Sequence, residues 1–132
     1  MIIDILHLMS QSKVHKDWTI SDFWRLIMPP IVQNKIIYDI ADNGHSLQGF
    51  TTFGFFSDEA LEGYKTGTRK IQIKDFNSGS NIVLVDAIAL HNNGTKLMFK
   101  LRKRLIELGH KGKDIWFIRK YSDRRMVKKV ML

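Results

Sequence analysis

The run Asn81-Ile82-Val83-Leu84-Val85-Asp86-Ala87-Ile88-Ala89-Leu90 constrains this chain more than any other stretch. Ten residues that are apolar almost throughout read as a strand buried on both faces, and such strands belong to sheets covered by helices. Leu97, Met98, Leu101, Leu105 and Leu108 then recur at helical spacing over residues 95–108, with basic residues on the other side and Gly109 as the stop. Residues 115–118 read as a last strand. Strand, helix and strand together predict a right-handed parallel crossover unit.

Upstream, residues 35–41 and 46–56 are rich in β-formers, and Asp42-Asn43-Gly44-His45 between them is a hairpin signal. Residues 2–9 read as a short helix. Ser21 reads as the N-cap of a second helix, with Asp22 in its first turn, and Pro29-Pro30 should bend or interrupt it. Ser57 caps a further helix to about Tyr64, and a Gly- and Thr-rich loop follows. This order predicts an α/β fold, a mixed sheet with flanking helices, in one domain spanning residues 1–132.

The absence of cysteine excludes disulfides, cysteine-ligated metal and thiol nucleophiles. No histidine pair has the spacing of a metal motif, and the glycines form neither a phosphate loop nor a dinucleotide fingerprint. The apolar start, Met1 to Met9, is too short for a membrane span and carries Asp4 where a signal peptide would be basic, so a cytoplasmic protein with no transmembrane segment is expected. The net charge of +8 is confined to one end: residues 96–132 hold 13 basic and 3 acidic side chains. Such a block suits an acidic partner, whether nucleic acid, an anionic membrane face or an acidic protein, or it is a solvated helix face followed by a basic tail.

Two residues stand out chemically. Asp86 is the one charge in the apolar strand, and an unpaired buried carboxylate costs several kcal/mol in practice, about what breaking a buried ion pair costs. It is either a working carboxylate or a structural one paired with a basic group. His15 lies in a short polar link, Ser12-Lys13-Val14-His15-Lys16-Asp17-Trp18, where it is either a proton acceptor near neutral pH or an ordinary surface residue. As a linker histidine it should contribute little core packing.

The segment Ser12-Lys13-Val14-His15-Lys16-Asp17-Trp18-Thr19-Ile20-Ser21-Asp22-Phe23 resembles the Ser-Pro-Leu-His-Arg-Asn/Asp-Trp-Pro-Val-Ser-Leu-Phe motif of the RTX toxin-activating lysine acyltransferases, the hemolysin-activating protein C type. The likeness continues through Met28-Pro29-Pro30-Ile31 and Gln33-Asn34-Lys35. A second block, from Asp75-Phe76-Asn77-Ser78-Gly79 to Val85-Asp86-Ala87-Ile88-Ala89, is similar to the family's Asp-Trp-Thr-Ser-Gly and Ile-Asp-Trp-Ile-Ala. Thr19 replaces a family Pro, Ala87 a Trp, and Phe50-Thr51-Thr52-Phe53 a Cys-Ser-Trp segment.

The resemblance implies a fold similar to the GCN5-related acetyltransferases, a tendency to dimerise, and transfer of an acyl group from acyl carrier protein to internal lysines of a target protein. It implies His15 as catalytic histidine and Asp86 as catalytic aspartate. No bound cofactor is then needed, because the donor is a protein. Lys96, Lys100, Arg102, Lys103 and Arg104 become the expected docking surface for the acidic carrier, with nucleic acid the lesser candidate. The alternatives are an acyl-CoA-dependent acetyltransferase and a non-catalytic binding protein that uses its basic face.

Overall fold

The computed structural model describes residues 1–91, 93–120 and 125–132. The elements run α1 (Ile2–Gln11), α2 (Ile20–Leu26), α3 (Met28–Val32), β1 (Ile36–Ile40), β2 (Leu47–Phe56), α4 (Asp58–Thr66), a 3-10 turn (Ile73–Phe76), β3 (Asn81–Ala89), α5 (Gly94–Glu107), β4 (Asp114–Lys120) and β5 (Arg125–Met131). The strands form one sheet in sequence order. Neighbours are antiparallel except β3 and β4, which are parallel and joined through α5. The mixed α/β class is therefore as expected, and the arrangement is consistent with a fold like that of the GCN5-related acetyltransferases.

Side chains alternate along a strand, so Phe50 and Phe56 of β2 point to one face of the sheet and Phe53 to the other. Phe50 packs with Ile5, Leu8 and Met9 of α1 and with Ile27 at the α2–α3 junction, while Phe56 packs with Ala60 and Leu61 of α4 and with Phe76. Phe53 meets Leu101 and Leu105 of α5 together with Ile82 and Ile115. Hence α1 to α4 cover one face and α5 covers the other.

Local chemistry explains the element ends. Thr19, not Ser21, caps α2: its hydroxyl accepts from Asp22 N at 3.1 Å while the Asp22 carboxylate accepts from Thr19 N at 2.9 Å. This reciprocal box starts the helix two residues earlier than the Ser-Asp pair suggests. The helix breaks at Ile27, and Pro29 and Pro30 sit in the first turn of α3, where a missing N–H costs nothing. Asn34 turns the chain into β1 with a left-handed φ of 57°.

The Asp75-to-Gly79 block, part of the resemblance noted above, builds a turn. Asp75 accepts from both Arg69 Nη1 and Nη2 at 2.9 and 3.0 Å and from Gln72 N at 2.7 Å. Ser78 Oγ donates to Asp75 O and accepts from Ser57 N. A Cβ on Gly79 would fall 2.6 Å from Phe56 O, so only glycine lets this turn close on the end of β2.

Two expectations need correction. The basic C-terminal stretch is not a loose tail, because residues 125–131 pair with β4 along its length as β5. Its lysines suit an edge strand, where charge discourages further pairing; Arg124 of the basic block lies outside the described residues. Nor is β3 buried on both faces throughout: Ile82 and Val83 are buried, Leu84 to Asp86 are partly exposed, and Ala87 and Ala89 are exposed. The cause is its short pairing with β4, limited to Ile82 opposite Ile115 and Val83 opposite Trp116. Beyond that point the Tyr64 hydroxyl spans the two strands, donating to Leu84 O at 2.9 Å and accepting from Ile118 N at 3.3 Å. Tyr64→Phe should lower unfolding stability by about 1–2 kcal/mol in a urea titration, since two backbone groups lose their bridge.

Candidate active site

The link between α1 and α2 folds back on itself. Ser12 O accepts from His15 N at 3.1 Å and from Lys16 N at 2.9 Å, and His15 O accepts from Trp18 N at 3.0 Å. These bonds hold the imidazole inward, where the Trp18 ring packs 4.7 Å from it. His15 is only 5% exposed. It is thus no surface linker residue, and the expectation that it packs against little is wrong: the tight turn, invisible in composition, buries it.

His15 Nε2 lies 2.8 Å from each carboxylate oxygen of Asp86, 71 residues away. What aims Asp86 at it is a break in register. Thr52 pairs with Asp86 but Phe53 pairs with Leu84, so Val85 is an extra residue in β3. That bulge flips the alternation. Without it Asp86 would share the face of Leu84 and point toward α5; with it Asp86 shares the face of Phe50 and Thr52, beneath the α1–α2 link. Asp86 Oδ1 also accepts from Ala87 N at 2.9 Å, and its backbone carbonyl accepts from Thr51 Oγ1 at 2.9 Å, so both the carboxylate and the backbone that carries it are held.

A carboxylate on Nε2 places the ring proton there and leaves Nδ1 as the acceptor. Nδ1 is met by Ser12 Oγ at 2.7 Å. Hydroxyl, imidazole and carboxylate thus form one chain of hydrogen bonds.

Residues 1–130 match the model of HlyC, the RTX toxin acyltransferase family. The chain belongs to the RTX toxin acyltransferase family. It is accordingly an acyltransferase. Among curated proteins it is similar to the lysine-acyltransferase RtxC of Vibrio cholerae serotype O1 (strain ATCC 39315 / El Tor Inaba N16961), 25% identical over 123 residues that make up 93% of this chain and 79% of that protein. No described helix of this RTX toxin acyltransferase is long and apolar enough to cross a membrane.

The five basic residues expected to dock a donor divide into two groups. Lys96 and Lys100 reach Asp39 Oδ1 at 3.3 and 2.9 Å, and Asp39 is 1% exposed. Their hydrogen bonds, with that from Lys100 foremost, hold the Asp39 carboxyl below the usual aspartate range. They pin α5 to β1 while both side chains stay partly in water. Arg102 and Lys103 are exposed and Arg104 half-exposed, and none of the three makes an ion pair among the described residues. All five sit on the helix that covers the face opposite His15.

Two further residues of the site, Ser12 and Thr52, do not stand out in composition or periodicity. Ser12 had a usable signal, since three-residue spacing to a histidine in a tight turn puts its hydroxyl within reach of the ring. Thr52 had none, because its place beside Asp86 comes from strand register. Its hydroxyl is fully buried and has no hydrogen-bond partner among the described residues. Thr52→Val keeps the shape and removes that orphan group, so it should raise stability by about 1 kcal/mol, a Tm gain of a few degrees in a thermal melt.

Proposed function

We propose that this acyltransferase carries an acyl group from acyl carrier protein to the ε-amino group of an internal lysine of a target protein, as a toxin-activating enzyme working in the cytoplasm. The single observation behind the reading is the buried His15–Asp86 contact inside a chain of this family. The relative's description as a lysine acyltransferase supports the acceptor. A lysine ammonium is no nucleophile until it loses a proton, and His15 is the base for that proton. Asp86 orients the imidazole and stabilises the imidazolium that forms. Arg102, Lys103 and Arg104 offer charge complementary to an acidic carrier, and a donor held by its own protein needs no nucleotide cradle.

The test is co-expression with candidate target proteins, followed by intact-mass and peptide analysis. The expected result is a mass gain of one acyl group on a target lysine, reproduced with purified acyl carrier protein as donor. Transfer from acyl-CoA but not from the carrier protein would reassign the donor. Salt-dependent binding that survives loss of both His15 and Asp86, with no acylation, would make the chain a binding protein instead.

A further inference from the structure

Three buried side-chain atoms lack a hydrogen-bond partner among the described residues: Asp39 Oδ2, Arg69 Nε and the Thr52 hydroxyl. The first two belong to charged groups whose other atoms are held in ion pairs. Thr52 has no such compensation. It is 0% exposed, and a hydroxyl enclosed with nothing to bond works against the folded state, so its presence calls for a reason.

Its place supplies one. Thr52 is the Cα partner of Asp86 in the antiparallel β2–β3 ladder, so the two side chains leave the same face of the sheet from neighbouring strands. The Cβ atoms of such a pair lie about 4.5–5.5 Å apart, which puts a hydroxyl within reach of a carboxylate. The carboxylate has room for it. Asp86 Oδ1 accepts from Ala87 N at 2.9 Å and from His15 Nε2 at 2.8 Å, whereas Oδ2 accepts only from that same Nε2, also at 2.8 Å, among the described residues. One ring N–H is therefore divided between two oxygens, and Oδ2 has no donor of its own. Thr51 already bonds the backbone carbonyl of Asp86, so adjacent threonines address the two ends of one residue.

We propose that Thr52 is a positioning residue: turning about its Cα–Cβ bond, its hydroxyl donates to Asp86 Oδ2 and thereby fixes the direction in which Asp86 holds His15. The proposal rests on the acyl-transfer reading above. With a separate donor on each oxygen the carboxylate no longer rotates about Cβ–Cγ, and the Nε2–H between the oxygens stays in one plane. The Nδ1 lone pair, on the other side of the ring, is then aimed at one point. Threonine suits this task because its β-branched side chain occupies discrete rotamers. The structure shows the unbonded rotamer. The bonded one exchanges with it in the free protein and prevails once substrate fills the site, where hydrogen bonds that are loose in the empty enzyme commonly tighten.

The experiment compares full-length wild type, Thr52→Val and Thr52→Ser by thermal melt, by steady-state transfer from acyl carrier protein to target protein, and by NMR of the free chains labelled at histidine nitrogen. Thr52→Val should melt above wild type yet show kcat lower by about tenfold or more with KM nearly unchanged, since misdirecting a reacting group by about 1 Å costs up to about a hundredfold. Thr52→Ser keeps the hydroxyl and should restore kcat, although the lost methyl lowers its melting point. In the free protein the His15 Nε2 proton of Thr52→Val should move to lower field, because a carboxylate relieved of the hydroxyl bonds the ring more strongly, and Thr52→Ser should bring it back. A threonine with a purely structural role would leave Thr52→Val equal to wild type in kcat and in that resonance, or would leave Thr52→Ser as slow as Thr52→Val. Either result overturns the proposal, as does a Thr52→Val chain that is slow because it melts early. If wild type acylates no lysine of any target, the acyl-transfer reading fails, and the proton resonance alone decides whether Thr52 reaches Asp86.

Discussion

His15→Ala should abolish acyl transfer and, in addition, weaken the fold. Loss of a general base typically costs about a hundredfold or more in rate. The structural cost arises because the imidazole is 5% exposed and is the side-chain partner of Asp86 Oδ2, so Ala leaves a half-buried carboxylate short of a donor and opens space beside Trp18. A loss of about 1–3 kcal/mol follows from an unsatisfied buried group of this kind. His15→Gln separates the two effects: its amide can still donate to Asp86, but it has no basic nitrogen. Transfer should be lost as fully as with Ala, while the midpoint of urea unfolding stays closer to wild type. A well-folded His15→Gln protein that acylates target lysine at the wild-type rate would exclude His15 as the base.

Composition and periodicity located β3, the amphipathic α5 and the hairpin of β1 and β2, because burial on sheet and helix faces writes its period into the sequence. They did not reach β5. Lys128 and Lys129 interrupt its apolar pattern, and what makes the segment a strand is its partner, β4. The candidate site divides in the same way. Asp86 stands out in sequence as a charge inside an apolar run, and the motif around His15 marks that link. The contact between them depends on one extra residue, Val85, in the β2–β3 ladder and on the backbone bonds that fold residues 12–18 inward. Both are properties of pairing and turn geometry, and no local propensity encodes them. The division of the α5 cations has the same origin, since only the register of β1 brings Asp39 beneath Lys96 and Lys100.

That division makes the two sets of cations on α5 respond in opposite ways to charge reversal. Lys96→Glu with Lys100→Glu would surround Asp39 with like charge, although its carboxylate is 1% exposed and its Oδ2 already has no hydrogen-bond partner among the described residues. Removing the partners of a buried charge costs about 3–5 kcal/mol, with the low end apt here because both ammonium groups are partly in water. Set against a total stability of about 5–15 kcal/mol, this should shift the urea midpoint far down or leave the chain largely unfolded. Acid titration gives the matching sign. The Asp39 carboxyl is held below its ordinary value of 3.8, chiefly by its hydrogen bond from Lys100, so its contribution is present above that pH and is lost as pH falls through the depressed folded value. The double lysine variant should lose this acid-sensitive component. Reversing Arg102, Lys103 and Arg104 to Glu should instead leave the midpoint nearly unchanged, because exposed substitutions of this kind usually stay within about 0.5 kcal/mol each. Its effect should fall on the donor: a higher apparent KM for acyl carrier protein, a smaller change in turnover of bound donor, and a weaker dependence on salt, whose screening length is about 8 Å at physiological strength. Since α5 lies across the sheet from His15, that effect measures whether a carrier docked on the far face can still present its thioester to the site. If the lysine pair instead raises KM without touching stability, Asp39 is not what holds those cations, and the whole helix face is the docking surface.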